Sequence, residues 1–187
     1  MSTKKHTGGY SLVELLVAMS IFLVAVIVGV GVVLAVVNYN KRVQGMTAVM
    51  NNLNFALESM SRDIRTGTRY YCGTRTGGNV TATRDCTATG NPVLSFTDED
   101  GVGRYYYLSG ETLMESTGSY GNNEMPLSGS DIAIDSLIFR VVGSALAGIQ
   151  QPLVEILLAG HSLESNDDLE ESFEIQMTLT QRLFDVQ

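Results

Sequence analysis

The most conspicuous pattern in the sequence is an apolar block near the N-terminus. Residues Leu15–Val37 are 23 consecutive positions without a charge. An α-helix needs about 20 such residues to cross the hydrocarbon core of a bilayer. A conventional secretory signal has a shorter apolar core, of about 7–15 residues, followed by a small-x-small cleavage site. The block fits that description poorly and instead predicts a membrane-spanning helix.

A second periodic pattern follows the apolar block. Seven apolar residues recur at alternating spacings of three and four positions, namely Val43, Met46, Met50, Leu53, Leu57, Met60 and Ile64. This spacing places one apolar stripe on an amphipathic helix, and Gly67 supplies a C-terminal stop. The two segments together predict one helix of about 55 residues. We expect its stripe to pack under the chain's own sheet, with a coiled coil as the weaker alternative.

Strand patterns separated by turn signals follow Gly67. Residues 68–92 are rich in Gly and Thr and are predicted to form a loop. The predicted strands are Pro92–Thr97, Arg104–Leu108, Thr112–Glu115, Ser136–Val142, Leu153–Ala159 and Ser172–Leu183. The last of these alternates most clearly, with Phe173, Ile175, Met177 and Leu179 on one face. The sequence therefore predicts an α+β fold in which the long N-terminal helix packs on a mostly antiparallel sheet.

Charge is distributed unevenly along the chain. The net charge is −8 overall, made up of +5 over residues 1–97 and −13 over residues 98–187. An acidic C-terminal half argues against a general nucleic-acid-binding protein, which needs clustered positive charge. One candidate basic patch remains, in a segment that also holds Tyr70 and Tyr71, and it consists of Arg62, Arg65, Arg69, Arg75 and Arg84. We expect these arginines to offset acidic groups of the same or neighbouring domains, with DNA binding as the alternative.

The chain has two cysteines, Cys72 and Cys86, both in the Gly/Thr-rich segment. Metal sites usually use closer pairs and further ligands, and the only histidines are His6 and His161. A domain exported across the membrane would favour a disulfide between the two thiols. Two unpaired buried thiols in a reducing compartment are the alternative.

The residues before the apolar block form a distinctive motif. A short polar leader with Lys4 and Lys5 is followed by Gly8-Gly9-Tyr10-Ser11-Leu12-Val13-Glu14. Glu14 lies at the edge of the apolar run, where an unpaired carboxylate is unfavourable and a cationic partner is expected. A hydrated carboxylate at the membrane interface is the alternative.

This arrangement resembles the processing motif of type IV prepilins and type II secretion pseudopilins. The resemblance implies that a prepilin peptidase cuts after Gly9 and that the new N-terminal residue, Tyr10, is N-methylated. It also implies that Glu14 pairs with the free N-terminus of a neighbouring subunit during filament assembly. Tyr10 stands where the family usually has Phe, and Gly29 and Gly31 lie where major pilins often have Pro.

The resemblance implies four segments: a leader over 1–9, a transmembrane and filament-core helix over 10–37, its amphipathic continuation over 38–67, and an exported β-rich head over 68–187. The order of elements is similar to minor pilins and to the larger J-type minor pseudopilins. The expected partners are other pilin or pseudopilin subunits, prepilin peptidase, the inner-membrane assembly platform and membrane lipid. The expected location is the inner membrane, with the head outside the cytoplasm, and then a pilus or pseudopilus.

The sequence offers no convincing catalytic or cofactor site, so we expect a structural subunit and no enzyme. His161 is expected to be an exposed loop residue. The acidic stretches 98–100 and 166–168 lack the ligand spacing of an EF-hand and are expected to be solvated turns, with calcium binding as the alternative. Tyr105-Tyr106-Tyr107 is expected to pack within the sheet rather than form a ligand platform.

Two other functions are compatible with the sequence. The chain could be a pilus-displayed binding module that contacts a surface, an exported protein or DNA. It could also be an unprocessed single-span anchor that displays an exported domain. Processing of the N-terminus distinguishes the last function from the others.

Overall fold

The computed structural model describes residues 9–74, 80–86, 88–144, 151–163 and 172–182. Leader residues 1–8, Arg75 and the acidic stretch 166–168 lie outside the described residues. The chain divides into two compact units, Met1–Gln44 and Gly45–Gln187. A helix, α1, covers Leu12–Thr66, and the strands that follow it all belong to the second unit.

Helix α1 has 55 residues and both of its ends follow from local sequence. Ser11 precedes the first turn and accepts a hydrogen bond from the Glu14 amide through Oγ at 3.3 Å. The helix continues through Gly29 and Gly31 without a break. Gly67 follows the last turn, and its amide donates to the Asp63 carbonyl at 2.9 Å. The predicted length and C-terminal stop are confirmed.

The strands form two antiparallel sheets. The first has the order β1-β2-β3-β4-β5, and the second has the order β6-β7-β8. Their bounds are β1 Thr68–Cys72, β2 Leu94–Thr97, β3 Gly103–Ser109, β4 Thr112–Thr117, β5 Met125–Pro126, β6 Ile132–Val142, β7 Leu153–Ser162 and β8 Ser172–Thr180. Every pairing between neighbouring strands is antiparallel, so the predicted α+β class is confirmed.

Four details of the strand prediction are wrong. Residues 68–72, predicted as loop, form β1, because Tyr70 is buried and the segment pairs with β2. The two-residue β5 was not predicted, since so short a segment shows no alternation. The strands also divide into two sheets where one was expected, and β6 begins at Ile132 rather than Ser136, with a register irregularity between Ile134 and Ser136.

The amphipathic stripe of α1 forms the centre of the core in the second unit. The core residues that α1 contributes are Val49, Leu53, Ala56, Leu57, Met60 and Ile64, each at most 2% exposed. Met46 and Met50 are half-buried and pack against this core, so the predicted stripe is confirmed from Met46 onward and is broader than expected. Val43 is 46% exposed and lies outside the core. Phe55, which does not belong to the stripe, is 77% exposed.

Candidate functional site

The predicted cleavage site, Gly9–Tyr10, lies just before α1 and is exposed. Tyr10 is 84% exposed, and a Cβ built on Gly9 would meet nothing within 4 Å. Gly9 is also absent from the glycines with positive φ. Within the described structure, neither packing nor backbone conformation therefore requires glycine at position 9.

Glu14 lies in the first turn of α1. Its amide is bound by the Ser11 side chain, which is the N-terminal half of a Ser-x-x-Glu capping box. The sequence analysis missed this pattern, although Ser11 and Glu14 are three positions apart and directly precede the apolar run. Glu14 is exposed, and no described residue donates a hydrogen bond to its carboxylate. A negative charge in this turn is favourable toward the partial positive charge of the helix N-terminus.

The apolar half of α1 has no partner within the described chain. Every side chain over residues 12–37 is exposed, and the helix qualifies as a candidate membrane span by length and composition. Exposure of so many contiguous apolar side chains to water would be strongly unfavourable. This half of the helix therefore requires lipid or other apolar helices around it.

A disulfide joins Cys72 and Cys86, whose Cα atoms are 5.3 Å apart, so the alternative of two free thiols is wrong. Cys72 is the buried last residue of β1. The Cys86 amide donates to the Val141 carbonyl of β6 at 2.9 Å. The disulfide therefore links the segment that contains Cys86, which is hydrogen-bonded to β6, to β1 of the first sheet.

The arginines of the candidate basic patch have separate environments. Arg62 lies 3.5 Å from Glu58 on the exposed face of α1. The Arg84 guanidinium lies 5.7 Å from the centre of the Tyr71 ring. Arg69 has a positive φ of 55°, and Arg65 lines a cleft described below. The charge of Arg62 is therefore offset by an acidic group of the same domain, as the sequence analysis expected.

The main ionic cluster of the head surrounds Arg104 on β3. Its Nε lies 3.0 Å from Asp98 Oδ2, and its Nη1 lies 3.0 Å from Asp63 Oδ2 and in contact with Glu115. The Tyr106 hydroxyl also donates to Asp63 at 2.9 Å. The cluster thus joins the end of α1 to β3, β4 and the turn between β2 and β3. Sequence analysis missed it, because these residues become neighbours only through the strand register.

Burial and charge shift the titration of this cluster. Burial raises the pKa of Glu115 above its usual range, and the neighbouring carboxylates add to the rise while Arg104 opposes it. Burial also raises the pKa of Tyr106, as do Glu115 and Asp63. Burial works against the charge of Arg104, but hydrogen bonding and three carboxylates hold the pKa of its guanidinium above its usual value. The cluster connects the end of α1 to the first sheet and contains more acidic than basic groups.

The residues that were considered for catalysis or metal binding form contacts within the fold. His161 is half-buried on β7, and its Nδ1 lies 3.0 Å from Asp135, so its assignment to an exposed loop is wrong. Asp98 is buried and accepts hydrogen bonds from the Asp100 and Val102 amides, which organises the hairpin turn. Among the described residues, no group of three or more His, Cys, Asp or Glu could hold a metal ion.

The three consecutive tyrosines of β3 are buried, as expected for sheet packing. Tyr106 belongs to the main core with α1, whereas Tyr105 and Tyr107 face a second cluster. Tyr107 donates a hydrogen bond to Glu124. The pKa of Tyr107 is raised to about 12, in the first place by burial and in the second by this hydrogen bond. The ring of Tyr120 packs against Tyr107 with centroids 4.6 Å apart.

Comparisons of the chain with protein-family models, with characterised proteins and with solved structures found no match. The functional assignment therefore depends on the residues described above.

Proposed function

We propose that this chain is a minor pilin or pseudopilin, a structural subunit of a type IV pilus or a type II secretion filament. Prepilin peptidase removes residues 1–9, Tyr10 becomes the N-methylated N-terminus, and the apolar half of α1 enters the filament core. The observation that carries the proposal is the register of Gly9, Tyr10 and Glu14 immediately before an uncharged run of 23 residues.

Three structural features support this function. The first is the accessibility of Gly9 and Tyr10, where a peptidase could act without disturbing the head. The second is the apolar half of α1, whose exposed side chains need lipid in the membrane and neighbouring helices in a filament. The disulfide favours an oxidising location for the head, outside the cytoplasm.

Glu14 has a specific role in this proposal. Cleavage creates an amine at Tyr10, four residues before a carboxylate that lacks a donor among the described residues. In a filament, the amine of one subunit pairs with Glu14 of its neighbour in a water-poor environment. A charged hydrogen bond of this kind would favour the assembled state by about 1–3 kcal/mol.

The experiment compares Glu14→Val with wild type in cells that make the native filament. We expect both proteins to insert in the membrane and to lose the leader, and we expect Glu14→Val to be depleted from sheared filaments. Glu99→Gln, an exposed glutamate of the turn between β2 and β3 and outside α1, is the control and should enter filaments normally. Wild-type amounts of Glu14→Val in filaments would refute the pairing role and leave a hydrated interfacial carboxylate.

A further inference from the structure

The head contains an open cleft of about 690 Å³ at the C-terminal end of α1. Its volume is in the range of ligand-binding clefts. Arg62, Arg65 and the acidic residue Glu58 line it from α1, Arg182 lines it from the segment after β8, and Gln151 and Thr180 lie beside them. All of these residues belong to the second compact unit.

Backbone contacts fix the two sides of this cleft relative to each other. The Arg182 amide donates to the Arg65 carbonyl at 2.8 Å. The side-chain amide of Gln181 donates to the Gly67 carbonyl at 3.1 Å. Because Arg62 and Arg65 are three positions apart, their side chains share one face of the helix. These hydrogen bonds therefore fix the backbone of Arg182 against the end of α1, which carries Arg62 and Arg65.

The arginine side chains are not used to cap the helix. Arginines near a helix C-terminus often bind the last carbonyl groups. Here the Asp63 carbonyl accepts from the Gly67 amide, the Ile64 carbonyl accepts from the Tyr70 hydroxyl, and the Arg65 carbonyl accepts from the Arg182 amide. Helix capping therefore leaves the guanidinium groups of the cleft available for another role.

The charge of the cleft is poorly compensated within the described chain. Arg104 and Arg140 both form ion pairs with carboxylates of the sheets, Glu115 and Glu155 respectively. Among the described residues, by contrast, no carboxylate lies within ion-pair distance of Arg65 or Arg182. In the described part of the chain, the ion-pair partner of the Arg62 guanidinium is Glu58, at 3.5 Å and with both side chains more than 70% exposed. Such an exposed pair contributes little and exchanges readily.

We propose that this arginine cleft binds the carboxylates of an acidic polypeptide segment on a neighbouring subunit. Arginine matches carboxylates with two parallel hydrogen bonds, which lysine cannot do. A long polyanion such as DNA is disfavoured, because it would extend beyond the cleft over a domain in which residues 98–187 have a net charge of −13. The identity of the partner as a filament subunit rests on the proposed function, whereas binding of an acidic peptide does not.

The test uses the full chain in a non-ionic detergent and a fluorescent hexaglutamate peptide, with binding followed by anisotropy. We expect saturable binding that weakens with added salt, because exposed charges are screened. Arg65→Gln/Arg182→Gln should weaken it at least about tenfold, since each charged hydrogen bond contributes more than 1 kcal/mol. Both residues use main-chain atoms for the structural hydrogen bond between them, so we expect the variant to fold normally, as circular dichroism would verify.

The matched control is Lys41→Gln/Arg84→Gln, which removes the same charge outside the cleft and should bind as wild type does. Equal weakening by the two double variants would overturn the proposal, as would the absence of saturable peptide binding. Tighter binding of a 12-base-pair DNA duplex than of the peptide would also overturn it and favour the DNA alternative. An intact leader on the native protein would refute the filament assignment but leave these peptide results unaffected.

Discussion

Arg104 shares one guanidinium group among three carboxylates that come from different parts of the chain. Asp63 belongs to the last turn of α1, Asp98 to a hairpin turn and Glu115 to β4. The side chains of Asp98 and Glu115 are at most 9% exposed. Burial of several carboxylates around one cation leaves the last of them only partly compensated. This is the physical reason why the pKa of Glu115 is raised.

Glu115→Gln tests this imbalance through the pH dependence of stability. Because the pKa of Glu115 is above 4.5 in the folded protein, the folded state holds this proton more tightly than the unfolded chain. The favourable contribution of protonated Glu115 to the free energy of unfolding is complete below about pH 4.5. This contribution is lost as the pH rises through the raised pKa of Glu115. The variant cannot ionise, so its stability relative to wild type should increase between pH 4 and pH 8.

The measurement is urea unfolding of both proteins in detergent at pH 4 and pH 8, followed by the near-ultraviolet dichroism of the tyrosines. Glu99→Gln removes an exposed acid from the adjacent turn and controls for the loss of one negative charge. A stability difference between Glu115→Gln and wild type that is constant, or that decreases with rising pH, would disagree with the raised pKa.

A local motif can be recognised in the sequence, whereas contacts between distant segments cannot. The roles of Gly9, Tyr10 and Glu14 are implied by the resemblance of such a motif to the prepilin processing motif, and they stay predictions. The Arg104 cluster brings together positions up to 52 apart, from Asp63 to Glu115, and only the packing of α1 on the sheet makes them neighbours. No sequence pattern distinguished Arg104 from the other arginines.

At the scale of elements, α1 was predicted best because three independent signals agreed on it. The uncharged run, the periodic stripe and Gly67 together gave its length and its end. β1 was missed because its five residues follow the helix stop directly and were grouped with the Gly/Thr-rich segment after them. The division into two sheets was also inaccessible, since strand patterns carry no information about which strands are hydrogen-bonded partners.

The Cys72–Cys86 disulfide links β1 covalently to the segment that contains Cys86. Arg84 and Cys86 donate backbone hydrogen bonds to Tyr70 of β1 and Val141 of β6, respectively. Removing the bond by Cys72→Ala/Cys86→Ala should lower the free energy of unfolding by about 3 kcal/mol, as expected for a loop of this size. Because β1 is part of the sheet, the loosening should be concentrated in residues 80–86, which lie between the two sheets.

Hydrogen exchange measured by mass spectrometry checks this prediction. We expect peptides that contain residues 80–86 to exchange faster in the double variant than in wild type. Peptides from β7, the central strand of the second sheet, should change least and serve as the internal reference. Equal acceleration across both regions would mean that the disulfide stabilises the whole head rather than this segment.

On the scale of the whole molecule, the chain combines two regions with different requirements. Residues 12–37 expose only uncharged side chains apart from Glu14, whereas the head is acidic and has its own core. The apolar half of α1 is a candidate membrane span, and the second compact unit packs around its own core. The fold class was predictable from sequence, because the change from helical to alternating periodicity is clear at Gly67.

The most direct test of the proposed function is mass spectrometry of the native protein's N-terminus, from cells that make the filament. We expect a mature chain of residues 10–187 that begins with N-methyl-Tyr10. Gly9→Val should abolish cleavage without disturbing the head, because a side chain at position 9 meets no neighbour in the structure. Wild-type protein that retains Met1–Gly9 would contradict the assignment to the pilin family and favour an unprocessed membrane anchor.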